Sequence, residues 1–237
     1  TKRKIWFIMA GVKTGISGQI NNNIVTDGLV FYVDPAYKKS YPGSGTNANS
    51  LVGTIDGTFQ NSPGFEPNNN GIFEFDGTDE KIQLTNSLDL CPEDGDFTFN
   101  IWANPTSYTG TWQGWFVGSG TGALWIGISS SGKYTLRKFN GSVAGTISYI
   151  PNPTTGIWTN VTITKIGSTA TLYYNGVSQA SGTDNETYAQ YTTYIGDDNH
   201  NNDYNGKFGP IMFYKGKGLT QAEVTQNYQA QKERFGL

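Results

Sequence analysis

From Gly28 onward, clusters of Gly, Asn, Pro and Asp interrupt the chain every few residues, and the runs between them are short and rich in Val, Ile, Thr, Phe, Tyr and Trp. Turn residues at that cadence leave little room for long helices, whereas β-branched and aromatic side chains suit a pleated, half-buried surface. The pattern predicts strands over residues 29–33, 72–75, 97–103, 115–117, 124–128, 134–139, 158–165, 169–174, 192–195 and 207–214. In the clearest of them Phe97, Phe99, Ile101 and Ala103 alternate onto one face, which must be the core face, and Trp102 points the other way. Asn175-Gly176 supplies two residues that tolerate positive φ, so the strand ending at Tyr174 turns back on itself in a hairpin.

One helix is expected near the end. Thr220 and Glu223 stand at capping-box spacing and Leu219 can staple onto Val224, so the helix should run from about Thr220 to Arg234 with Val224 and Tyr228 on its buried side. Residues 1–27 carry no sustained period and are read as an N-terminal extension, a docking arm for the domain spanning 28–237. The arm's Ile5-Trp6-Phe7-Ile8-Met9 run, after Lys2-Arg3-Lys4, is shorter than the apolar region of a signal peptide. A length of 237 residues fits one large β domain, and no apolar stretch reaches the length of a membrane span.

Composition narrows the function classes. The formal charge is -3 and basic residues cluster only at the first few positions, so no broad field awaits a phosphate backbone and nucleic acid is not an expected partner. Cys91 is the single cysteine, which excludes an intramolecular disulfide framework and a Cys-based zinc site.

Taken in order, several segments resemble the concanavalin A-like, laminin-G-like jelly-roll family. They are Gly28-Leu29-Val30-Phe31-Tyr32-Val33-Asp34, Phe73-Glu74-Phe75-Asp76-Gly77-Thr78-Asp79, Phe97 to Ala103, Trp158-Thr159-Asn160-Val161-Thr162, Leu172-Tyr173-Tyr174-Asn175-Gly176 and Asn205-Gly206-Lys207-Phe208-Gly209-Pro210-Ile211. The subset most similar occurs in structural proteins of marine phage particles. The resemblance implies an all-β fold, a two-sheet antiparallel jelly-roll sandwich with a concave face, closed by one short C-terminal helix. Its members bind glycans or proteins, or hydrolyse glycans, and fold alone does not choose among these.

The residues offer three chemistries. Glu74 and Asp76 share one strand face, as the carboxylate pair of a retaining glycosidase would, but Asp76-Gly77 is also a turn that ends a buried strand, and the turn reading is preferred. The loop Asp197-Asp198-Asn199-His200-Asn201-Asn202-Asp203 is rich in the oxygen ligands that calcium needs. Asp197, Asp198, Asn199, Asn201, Asp203 and Tyr204 form the candidate ligand-binding set, and Asp76, Asp79, Asp197 and Asp203 the candidate calcium ligands. His200, the only histidine, has no Gly-x-Ser-x-Gly partner and reads as an exposed loop residue, and Gly118-Ser119-Gly120-Thr121-Gly122 reads as a hairpin turn and not a phosphate loop. Trp112, Trp115, Trp125, Tyr188, Tyr191 and Tyr204 lie in or beside loops, where rings either stack on sugars or fill the core.

The leading expectation is a non-enzymatic structural or interaction protein of a phage particle, such as a capsid decoration, head-fibre or tail-fibre component, that contacts other virion proteins or copies of itself and host-surface glycans. Its place would be the virion surface, or outside the cell if the source is not viral. The alternative is a calcium-assisted, lectin-like carbohydrate-binding module, and a glycoside hydrolase using Glu74 and Asp76 stands third.

Overall fold

The computed structural model describes residues 23–85, 87–108, 110–139, 147–149, 154–197 and 200–237. Along the chain come β1 (Leu29–Val33), β2 (Asn47–Ala48), β3 (Gly57–Gln60), β4 (Gly64–Glu66), β5 (Ile72–Asp76), β6 (Lys81–Leu84), β7 (Phe97–Pro105) and β8 (Gln113–Gly118). Then follow β9 (Ala123–Ile128), β10 (Tyr134–Phe139), β11 (Ile147–Tyr149), β12 (Thr159–Ile166), β13 (Thr169–Tyr174), β14 (Val177–Thr183), β15 (Thr193–Ile195), β16 (Asn205–Lys215) and the helix α1 (Gln221–Gln231). Each strand expected from the sequence is present, with ends shifted by a residue or two.

The strands form two antiparallel sheets. The first runs β14-β13-β12-β7-β16-β5-β4, with β1 also on β16, and the second runs β11-β10-β9-β8-β15-β6-β3-β2. Neighbours far apart in sequence, such as β7 beside β16 and β6 beside β15, are the crossovers of a jelly roll. The long strand β16 serves two partners on one side because its register slips between Phe208 and Ile211, where Pro210 cannot donate to a ladder. Residues Asn205 to Phe208 pair with β5, and Ile211 to Tyr214 pair with β1.

Between the sheets lies an aromatic core that includes Phe31, Phe73, Phe75, Phe97, Phe99, Trp115, Phe116, Phe208 and Phe213. Phe97 and Phe99 enter it from β7 as the alternation predicts, and Phe116 stacks on Phe213 at 5.3 Å. A second apolar cluster covers the opposite face of the first sheet, where Tyr32, Met212, Tyr214 and Leu219 meet Val224 of α1. Trp102 points into that layer. Its ring stacks on Phe235 at 4.3 Å and on Tyr228 at 5.8 Å, and its Nε1 donates to Gln231 Oε1 at 2.8 Å.

The expected capping box is formed. Thr220 Oγ1 accepts from the Glu223 amide and the Glu223 carboxylate accepts from the Thr220 amide at 2.8 Å. The helix ends at Gln231 and tightens into a 3-10 turn over Lys232–Phe235, because Arg234 is drawn away to Asp34 at 2.7 Å and to the carbonyls of Asn69 and Gly71. At the hairpin, Asn175 and Gly176 both have positive φ, 49° and 78°, as a type I′ turn requires.

The extension expected over 1–27 is described only from Asn23. Its last residues belong to the domain: Ile24 and Val25 are buried, the Val25 amide donates to Asn227 Oδ1 at 2.9 Å, and Tyr214 Oη donates to the Val25 carbonyl at 2.9 Å. Residues 1–22 lie outside the described residues.

Candidate functional site: the outer face of the second sheet

Parity along the strands decides which side chains the second sheet shows to the outside. Ile82, Ile195, Phe116, Leu124, Ile126 and Leu136 enter the core, so the residues alternating with them lie on the opposite face. The register places Arg137 opposite Trp125, Trp125 opposite Val117, Val117 opposite Tyr194, and Tyr194 opposite Gln83. One row of side chains thus crosses five strands, from Arg137 through Trp125, Val117 and Tyr194 to Gln83, with Trp125 and Val117 fully buried.

Around Arg137 the row thickens into a cluster. The guanidinium lies 4.2 Å from the Trp112 ring centre, 5.0 Å from that of Trp125 and 5.3 Å from that of Phe139. Trp112 meets Trp125 edge to face at 5.2 Å, and Phe139 touches the His200 ring at 5.0 Å. Cation–π contacts of this kind contribute about 0.5–2 kcal/mol each and hold the rings at fixed angles. Trp125 is fully buried beneath the cluster, while Trp112, Arg137 and Phe139 are half-buried and keep an outward edge. At the other end of the row Lys81 Nζ sits 2.6 Å from Asp197 Oδ2 and 5.6 Å from the Tyr194 ring centre, and Gln60 Nε2 donates to Gln83 Oε1.

The candidate ligand loop borders this face, but its residues are used differently from the expectation. The Asp197 carboxylate, 2% exposed, is engaged by Lys81. Tyr204, expected as a ligand, is a core residue at 1% exposure, stacked on Phe208 at 4.2 Å with its hydroxyl donating to the Lys207 carbonyl. The loop is pinned where the Gly114 amide donates to the Asn202 carbonyl and the Tyr204 amide to the Gly196 carbonyl, both at 2.8 Å. Asn201, with φ 63°, and His200 are exposed and Asp203 is half-buried, while Asp198 and Asn199 lie outside the described residues. Among the described residues no three His, Cys, Asp or Glu side chains converge on a metal-sized site.

The second half of the candidate calcium set sits on the neighbouring turn. Asp76 Oδ1 accepts from the Thr78 amide at 2.8 Å and the Asp76 amide donates to Glu80 Oε2 at 2.7 Å, so the carboxylates shape the turn after β5. Burial of Glu80, reinforced by Asp76, Asp79 and Glu74, raises its carboxyl above the usual range. Glu74 faces Lys207 at 3.6 Å, and Lys207 also binds Glu66 at 2.8 Å. Glu74 is thus engaged by Lys207 and Asp76 by its own turn. Of the rings weighed as sugar platforms, Trp115, Trp125, Tyr188 and Tyr204 are buried, whereas Trp112 is half-buried and Tyr191 is exposed. Gly118 to Gly122 turns β8 into β9 as expected.

A groove of about 1110 Å³ lies beside the C-terminal turn, on the far side of the first sheet, with Tyr37, Phe65, Pro67 and Arg234 among its lining. Its polar floor is satisfied from within: Asp34 accepts from Arg234, from the Ala36 amide and from Tyr32 Oη. The face around Arg137 is the better-equipped surface, because Trp112 and His200 from two loops meet Trp125, Arg137 and Phe139 of β9 and β10 there.

Sequence parity could have found part of it. Trp125 and Arg137 are out of phase with Leu124, Ile126 and Leu136, yet the run Ala123 to Ile128 is apolar throughout and conceals which face is covered.

The fold has many relatives among solved structures. The binding domain of Paraclostridial Mosquitocidal Protein 1 superposes with a TM-score of 0.68 at 14% identity, over 84% of this chain and 51% of that one. Trypanosoma rangeli sialidase gives 0.65 at 13% identity, over 89% of this chain and 34% of that one. Domain 4 of AbnA, a GH43 extracellular arabinanase from Geobacillus stearothermophilus solved in complex with arabinotriose, gives 0.62 at 19% identity, over 85% and 98%. This chain thus spans about half of the first of these chains and a third of the second. No curated protein sequence matches it. Residues 76–225 match the Laminin_G_3 family model, and with most of the sandwich inside that match the chain belongs to the concanavalin A-like lectin/glucanases superfamily.

Proposed function

We propose that this chain is a non-catalytic domain that binds a glycan on the outer face of its second sheet. The observation that carries the reading is the row from Arg137 to Gln83 with Trp112 and Phe139 beside it. Sugar rings offer apolar C–H faces to flat aromatic side chains and hydroxyls to guanidinium, amide and ammonium donors, and this face presents both in a pre-organised array. The arabinotriose complex of the similar arabinanase domain supports the class of ligand. The carboxylates of Asp76 and Asp197 are held by Thr78 and Lys81, which supports recognition without calcium and without hydrolysis.

A glycan array probed with the purified chain, in calcium and in chelator, tests this. Binding to a defined oligosaccharide class is expected in both conditions. Trp112→Ala should weaken it about tenfold, or roughly 1.4 kcal/mol, while the far-ultraviolet spectrum shows the variant still folded at the assay temperature. Silence of the array, or binding that Trp112→Ala leaves intact, rules the face out.

A second reading sets the same face on the outside of a phage particle, as an adhesive decoration or fibre domain. It is favoured by the order of the sequence segments, which resembles that of phage structural proteins. Antibody labelling of purified particles decides it, since a chain absent from intact particles has no such role.

A further inference from the structure

We propose that the groove beside the C-terminal turn seats an upstream segment of the same molecule, the apolar run Ile5-Trp6-Phe7-Ile8-Met9. The first described residues lead there. Asp27 meets Lys217 just before α1, the Val25 amide donates to Asn227 Oδ1, and the Asn23 carbonyl accepts from Gln226 Nε2 at 3.0 Å. Followed toward the N-terminus, the backbone thus passes the start of α1 and reaches its middle at Asn23. Ala230, on the groove wall, stands one helical turn beyond Gln226, about 5.4 Å along the axis.

The groove continues an interface that this end of the chain has already entered. Ile24 and Val25 are buried in the apolar cluster under α1, and Tyr32, Ala36, Tyr37 and Ala230 of that cluster also line the groove. The lining suits an apolar occupant. Its charged members, Asp34, Lys38, Glu233 and Arg234, cancel, the Asp34 and Arg234 groups are satisfied from within the domain, and Pro42, Phe65 and Pro67 add apolar wall. Ile5 to Met9 has the matching chemistry, since a run of large apolar side chains is a liability in water unless it is covered. Thirteen residues separate Met9 from Asn23. Extended, they span about 45 Å, so reach does not limit the seating. A tether of this length also presents the run to its own groove at an effective concentration on the order of millimolar, which favours the same molecule over a neighbour at micromolar protein. The groove lies on the far side of the first sheet from the Trp112 face, so the seating neither needs nor opposes the glycan reading.

Photo-crosslinking of the full chain, with p-benzoylphenylalanine in place of Phe7, tests the seating directly. The expected product has the mass of one chain, with the link mapped by mass spectrometry to residues 35–43, 65–67 or 230–234. Links confined to other surfaces, links between two chains, or no link at all overturn the proposal. A second full-chain variant, Trp6→Asp with Phe7→Asp, alters none of the described residues and so leaves the domain to fold as before. In it, amide hydrogen exchange at residues 35–43 and 228–235 should quicken by about threefold or more, while β7 and β12 keep the parent's rates. Equal exchange at the groove in parent and variant overturns the proposal as well.

Discussion

Arg234 shows at the residue scale how this sandwich secures its last turn. The guanidinium is 12% exposed and binds the Asp34 carboxylate, 2% exposed, while its other nitrogens satisfy the carbonyls of Asn69 and Gly71. Removing one partner of a buried pair leaves the other charge desolvated, so Arg234→Ala should cost about 3–5 kcal/mol, read as a lower urea midpoint with unchanged slope. A loss below about 1 kcal/mol would show that the Tyr32 hydroxyl and the Ala36 amide suffice to hold Asp34. Asp34 and Arg234 stand 200 residues apart, and nothing local in either segment announces the pair. The same limit explains Tyr204 and Trp115. Both sit beside Gly- and Asn-rich turns and read as loop rings, but a register shift between Gly114 and Phe116 lets Trp115 and Phe116 enter the core together, with Tyr204 packed against Trp115. A bulge resets parity, and parity is the only signal that a strand's sequence carries about its faces.

Elements with their own local chemistry were legible. The helix start could be read because its cap is closed by residues three apart, and the β13–β14 hairpin because Asn-Gly suits its turn. The short strands β2, β4 and β11 were not, since two or three residues display no period and exist only by pairing with a neighbour. Thr220→Ala should cost about 1 kcal/mol in chemical denaturation, as loss of an N-cap does. A wild-type midpoint would mean that the staple of Leu219 and Val224 alone starts the helix. Glu223 adds a pH dependence to the same cap. Accepting the Thr220 amide, with help from Lys217, holds its carboxyl below the ordinary 4.5. A carboxyl depressed in the folded state stabilises above its unfolded value, and that contribution fades as pH falls through the folded one. The melting temperature of the wild type should therefore exceed that of Glu223→Gln at neutral pH, and the gap should close below about pH 4. A gap constant with pH would remove Glu223 from the cap.

Across the whole molecule, the aromatic core that fixes the fold also fixes its response to alkali. Burial lifts the hydroxyls of Tyr32, Tyr41, Tyr134, Tyr188, Tyr204 and Tyr214 above the ordinary 10.0, with the Asp34 and Asp184 carboxylates adding to the shift at Tyr32 and Tyr188. These rings lie on both sheets, under α1 and in the loop before β15, so no local opening frees them all. A phenol whose folded value is raised contributes its full share of stability below the unfolded value and loses it as pH rises beyond that. Stability should hold up to about pH 10 and then fall steeply. Tyrosinate absorbance should first report the exposed members of the fourteen tyrosines, then rise in one cooperative step that coincides with loss of the near-ultraviolet aromatic signal. Smooth ionisation of all fourteen near pH 10 with that signal intact would mean that the core admits water and that the rings are not the rigid frame on which the Arg137 row depends.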